Sequence, residues 1–195
     1  MTLPFDITVI QAGLKTLDEP RRIAFGTLLL ERAITSFFQF QVESGAPGGA
    51  VLRAALAQCW AAVESRGTDS EKFVSVEACE TVMPDSEDYK SPYTSAAIDA
   101  VNISCCLLDY LEDRRLSSII EAIQARWDTL YLFILNKTDI DSDQVLKHPL
   151  MQEELCFVYD DVDFLNGLVE LEEPLHTVLL KRIDKYGYRN HRLKL

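Results

Sequence analysis

The sequence lacks any apolar run long enough to cross a bilayer. Its longest, such as residues 28–30 and 131–135, cover only a few positions, where a spanning helix needs about 20. Basic charge is scarce: 19 Lys and Arg stand against 31 Asp and Glu, for a formal net charge of −12 and a pI near 4.6. A nucleic-acid backbone needs a basic surface, so it is excluded as the main partner. There is no GxxxxGK[ST] phosphate loop and no CxxC pair, and only three histidines, His148, His176 and His191, lie far apart. The first residues, Met-Thr-Leu-Pro-Phe-Asp, contain neither a basic nor an apolar signal region. The expected address is the cytoplasm, with no membrane association.

Five cysteines, Cys59, Cys79, Cys105, Cys106 and Cys156, form an odd set within apolar stretches of helical character. Buried, reduced thiols acting as small hydrophobes are the plain expectation, and redox sensing by the adjacent Cys105 and Cys106 is the sharper alternative. No metal ligand set is complete, so no metal or cofactor is expected.

What the chain does have is hydrophobic residues at helical spacing, 48% of the total. At 195 residues it suits one domain. Caps and periodicity predict about eight helices in an all-α, single-domain bundle spanning residues 1–187, with a basic, flexible tail at 188–195. Asp6 caps the first helix. Asp18-Glu19-Pro20 opens the second and Gly45 ends it, with Ile23, Leu30, Ala33, Ile34, Phe37 and Gln41 on one face. The third runs over residues 50–66. Thr68-Asp69-Ser70-Glu71 has the spacing of a capping box for a fourth, ending at Met83. The fifth, from Ser91-Pro92 to Asp113, is apolar nearly all round. Its polar residues Asp99, Asn102, Asp109 and Asp113 form one stripe, which predicts a largely buried central helix. The sixth covers 116–136. The seventh, from Ser142 to about Leu171, is broken or kinked at His148-Pro149. The eighth covers 174–186, with Gly187 as its stop. Phe73-Val74-Ser75-Val76 is the best strand candidate, but it lies inside the capped fourth helix.

Two short motifs invite chemistry and lack its context. Asn136-Lys137-Thr138-Asp139 has the guanine-reading NKxD form, without the upstream phosphate loop. Glu173-Pro174-Leu175-His176 has the Glu-x-x-His form of di-iron bundles, which need two such motifs and two further glutamates. No catalytic residue is assigned.

In order and spacing, Leu30-Glu31-Arg32, Pro84-x-x-Glu87-Asp88-Tyr89, Ala97-Ile98-Asp99-Ala100 and Pro149-x-x-x-Glu153-Glu154 resemble the YjaG-like family of uncharacterised bacterial proteins. The resemblance covers residues 5–186 and implies an all-helical bacterial cytosolic protein; it brings no activity and no catalytic residues. The chain departs from the family at Thr35, where members carry a proline soon after the Glu-Arg pair. The second helix is therefore expected to run straight.

Two candidate sites follow. The first is a cleft in which Asp99 lies beside Glu31 and Arg32, since a mostly buried carboxylate needs such a partner. The second is an acidic face. Residues 148–180 contain no Lys or Arg but hold Glu153, Glu154, Asp160, Asp161, Asp163, Glu170, Glu172 and Glu173. An acidic run is usually a solvated face; here Glu153, Glu154, Asp160, Asp161 and Asp163 are taken as outward-pointing residues that dock a basic protein. Three classes of function stay open: a non-catalytic interaction module, immunity-type neutralisation being one form; a small-molecule- or metal-binding protein; and an enzyme with a cleft site near Asp99. A homodimer also stays open. A deep pocket joining Asp99, Glu31 and a histidine favours the second or third class, and a flat acidic face the first.

Overall fold

The computed structural model describes residues 4–67, 72–168 and 173–188. Among these it contains nine helices and no strand. They are α1 (Ile7–Thr16), α2 (Glu19–Ser44), α3 (Gly49–Glu64), α4 (Val76–Glu80), α5 (Thr94–Asp113), α6 (Leu116–Lys137), α7 (Ser142–Val145), α8 (Pro149–Gly167) and α9 (Leu175–Tyr186). The all-α bundle expected from the sequence is therefore observed.

Local signals set most of the ends. The Asp6 carboxylate accepts the Thr8 and Val9 amides at the start of α1, and the Asp18 carboxylate accepts the Arg21 amide at the start of α2. Gly45 closes α2 at φ 70° and Gly187 closes α9 at φ 66°, in the left-handed region that suits glycine. With Thr35 in place of a proline, α2 runs unbroken for 26 residues. His148-Pro149 breaks the chain outright: α7 and α8 are separate helices, which makes nine where eight were expected.

The fourth helix differs from its expectation. The capping box at residues 68–71 lies outside the described residues. Ser75 accepts the Ala78 amide and starts a helix of only five residues. Phe73 and Val74 form neither strand nor helix; the Gln58 side-chain oxygen accepts both of their amides. Tyr188, assigned to the tail on sequence grounds, is wholly buried.

The centre is shared between two helices. α5 packs on α2, α3, α4 and α6, as its nearly all-round apolar surface requires. α2 is more enclosed still. Every residue from Ile23 to Ile34 is buried, so its apolar stripe is not confined to one face. That run includes Thr27, Glu31 and Arg32, and buried charged groups need partners.

The cysteines divide. Cys59 and Cys79 are buried, Cys105 and Cys106 half-buried, and Cys156 exposed, so burial of all five does not hold. Burial pushes the Cys59 thiol up to about 12 and the Cys106 thiol to about 11, which keeps both protonated. Among the described residues no helix is long and apolar enough to cross a membrane.

Candidate functional site

Glu31 and Arg32 are adjacent on α2, and one residue turns the helix by about 100°. The two side chains therefore serve different places, Arg32 at Glu154 and Asp161 and Glu31 at Trp60.

Arg32 enters a buried lattice of charge. Its Nε donates to Glu154 Oε1 at 3.0 Å and its Nη1 to Asp161 Oδ2 at 2.8 Å. Arg126 on α6 donates from Nε to the other Glu154 oxygen at 3.0 Å. Arg182 on α9 donates from Nε to Asp161 Oδ1 at 2.7 Å, and the Tyr188 hydroxyl donates to the same atom at 2.6 Å. The Arg32 guanidinium sits 4.8 Å from the Tyr188 ring centre and 5.2 Å from that of Phe157. Glu154 is 2% exposed and Asp161 fully buried. Burial pushes the Tyr188 phenol well above its ordinary pKa, so it stays a donor. The opposing effect of Glu154 and Asp161 on Arg32 outweighs burial and fixes its positive charge.

This corrects the acidic face. Glu154 and Asp161 do not point outward; they are inner counter-charges for three arginines drawn from α2, α6 and α9. Glu153, Asp160 and Asp163 are exposed. Seven residues separate Glu154 from Asp161, two helical turns, so both lie beside the inward seam of Leu155, Val158, Val162 and Leu165. Glu170 and Glu172 lie outside the described residues.

Asp99 is half-buried on α5 and accepts the Thr129 hydroxyl at 2.6 Å. Burial raises its pKa above the usual aspartate value, with the Thr129 hydrogen bond and Arg126 acting the other way. The native state then holds a proton over a pH range in which the unfolded chain has already lost it. Stability must fall as pH rises from the ordinary aspartate value of about 3.9 through the native one. Asp99→Asn keeps an acceptor for Thr129 and does not titrate. Its stability relative to the parent should therefore improve between about pH 4 and pH 7, measured by urea midpoints. A difference that is flat across that range would refute the burial of this carboxylate.

Thr129 also lines a cavity of about 270 Å³ between the start of α5 and the end of α6, with Ser91, Ser95, Phe133, Asn136 and Lys137. Asn136 and Lys137 of the NKxD tetrapeptide are thus wall residues in the last turn of a helix, as expected in the absence of a phosphate loop. Glu173, from the Glu-x-x-His motif, pairs with Lys181 at 2.7 Å, and His176 is half-buried beside Thr177. Among the described residues no group of three His, Cys, Asp or Glu is placed to hold a metal.

Glu31 lies elsewhere. It is 2% exposed, and its Oε1 accepts the Trp60 indole N–H at 2.8 Å. Together they form part of the wall of an open groove of about 460 Å³ between α2 and α3, otherwise lined by Ile34, Thr35, Phe38, Arg53, Leu56 and Ala57. The Arg53 guanidinium rests 5.1 Å from the Phe38 ring centre. Glu31 lines this groove, whereas Thr129, the partner of Asp99, lines the separate cavity at the end of α6. Sequence reasoning missed Trp60, Phe38, Arg126 and Arg182, because nothing local marks which partner a side chain will meet across the bundle.

Fold and site together define an all-helical protein with an internal arginine–carboxylate lattice and an apolar surface groove. The chain belongs to the family described as "Protein of unknown function (DUF416)", whose model matches residues 9–190. Its fold is shared by the crystal structure of a DUF416 family protein from Shewanella baltica. The two are 22% identical, with a TM-score of 0.81 over 95% of this chain and 98% of that one. No curated protein matches the chain.

Proposed function

We propose that the protein is a non-catalytic interaction module of the bacterial cytoplasm, which binds a basic protein through the groove between α2 and α3. Within its family we place it with the YjaG-like members, on the motifs that contain Glu31, Arg32, Asp99 and Glu154. The groove carries the functional proposal. It is an open apolar surface on a strongly acidic chain, and apolar patches rimmed by polar residues are where soluble proteins meet partners. Exposed Glu153, Asp160 and Asp163 add long-range attraction for a basic partner without forming the contact itself. Neutralisation of a basic toxin is one form that such binding takes.

A photoreactive residue in place of exposed Ala57 tests this in the native host. It should crosslink one basic protein, with a yield that falls at high salt as attraction is screened. A photoreactive residue at Leu132, on α6 and away from the groove, serves as the control. Equal capture of the same proteins from both positions would overturn the proposal.

A further inference from the structure

Two of the thiols meet across a helix contact. α4 packs on α5, and Cys105 Sγ on α5 lies 3.9 Å from the main-chain oxygen of Val76, the first residue of α4. Cys79 stands three positions after Val76, on the same face of that helix. Its Cβ tilts toward the helix start, so its side chain leans over the turn that Cys105 touches. The Cys105 thiol proton therefore has two acceptors in reach, the Val76 carbonyl and the Cys79 sulfur. Its hydrogen bond to Cys79 holds that thiol below its ordinary pKa. Cys79 is wholly buried and Cys105 half-buried.

The other cysteines are set apart. Cys106 follows Cys105 on one helix, so its side chain leaves α5 about 100° away, toward the carboxylates of Asp109 and Glu121. Two Cβ vectors that diverge so far cannot be bridged without moving the backbone. Cys59 lies beside Cys79, but burial keeps it protonated. Cys156 is exposed on α8.

We propose that Cys79 and Cys105 form a modification site, an intramolecular dithiol that hydrogen peroxide oxidises to a disulfide joining α4 to α5. The site is independent of the groove between α2 and α3. Cys79, as the thiolate, attacks peroxide. A sulfur–oxygen bond forms, the oxygen–oxygen bond breaks, and the departing hydroxide takes up the proton that Cys79 released. The Cys105 sulfur then attacks the Cys79 sulfenic acid. The sulfur–sulfur bond forms, the sulfur–oxygen bond breaks, and water leaves with the Cys105 proton. Two thiols are oxidised and one peroxide is reduced to two waters. Access comes from the shortness of α4. Its five residues are too few to be stable by their own turns, so local opening of this one element exposes Cys79 while the bundle stays closed.

The test uses full-length Cys156→Ser protein, which lacks the exposed thiol that would link chains. It is treated with hydrogen peroxide without denaturant, its remaining thiols are alkylated in urea, and tryptic peptides are mapped by mass. Residues 73–90 carry Cys79, and residues 91–114 carry Cys105 and Cys106. The two peptides should appear joined, two hydrogens lighter than their sum, with Cys59 and Cys106 alkylated. Cys106→Ala should leave the rate of linkage within about twofold. Cys105→Ala should abolish the link and slow the loss of the Cys79 thiol about tenfold, because the hydrogen bond that favours its thiolate is gone.

A link from Cys79 to Cys59 or Cys106, a link within residues 91–114, or a link that forms only in urea would overturn the proposal. So would a Cys79 that stays a thiol, or one that proceeds to sulfinic acid while Cys105 stays free. The link in the Cys156→Ser protein decides the outcome even where Cys105→Ala does not fold.

Discussion

Asp161→Ala is expected to lower the unfolding free energy by about 3–5 kcal/mol, the usual cost of removing one partner from a buried ion pair. Asp161 is fully buried and accepts from Arg32, Arg182 and Tyr188 at 2.6–2.8 Å. Without it, two guanidinium groups and a phenol lose their shared acceptor in a region where water cannot readily replace it. Among the described residues, Arg32 Nη2 and Arg182 Nη2 are already buried without hydrogen-bond partners, so the lattice has no spare acceptor there to offer. Urea titration should register the loss as a lower midpoint with an unchanged slope. Asp160→Ala, one residue away and exposed, should change stability by less than about 0.5 kcal/mol. A loss below about 1 kcal/mol for Asp161→Ala would mean that the lattice is hydrated and that the side chains are not enclosed as described.

Phe37→Ala should be comparably damaging, at about 3–5 kcal/mol, by a different mechanism. Phe37 is fully buried on α2 and meets Phe40 and Phe38 edge-on, with centroids 6.0 and 6.4 Å apart. Its ring also reaches the turn into α3: an ideal Cβ built on Gly48 would lie 3.2 Å from Phe37 Cζ and 2.7 Å from Val82 Cβ. Truncation leaves a cavity beside Phe40 and Gly48 that the surrounding packing closes only in part. The cost should be insensitive to salt and pH, unlike any weakening of the lattice. Thermal melts at two ionic strengths would separate the two mechanisms, and a salt-dependent loss for Phe37→Ala would contradict a purely apolar role.

The helices were legible where the signal was local. Asp6, Asp18, Gly45 and Gly187 each act within one turn, so they fix an end regardless of the rest of the fold. The fourth helix was misjudged because Val74 and its neighbours are held by Gln58 from another helix, a contact that no local pattern announces. The site was legible in part. Glu31, Arg32, Asp99, Glu154 and Asp161 were all picked out, and the structure gives each a defined partner. Their assignments were not legible. A run of acids looks like a solvated face, and only the periodicity of α8 separates inward Glu154 and Asp161 from outward Glu153, Asp160 and Asp163. The counter-charges are unreachable by spacing, since Arg32 meets its two acids across 122 and 129 residues. Glu31 and Arg32 were treated as one unit, yet helical geometry sends them to separate sites.

Those same separations constrain how the chain can mature on the ribosome. Arg32 is synthesised long before Glu154 and Asp161 exist, and Arg182 and Tyr188 follow later still. An N-terminal half that emerges first would have to bury the Arg32 cation with no acid to receive it. The early helices therefore cannot settle into their final packing during elongation. Completion of the bundle must wait for α8 and α9, which makes the synthesis of these two helices the step that commits the bundle to its native state.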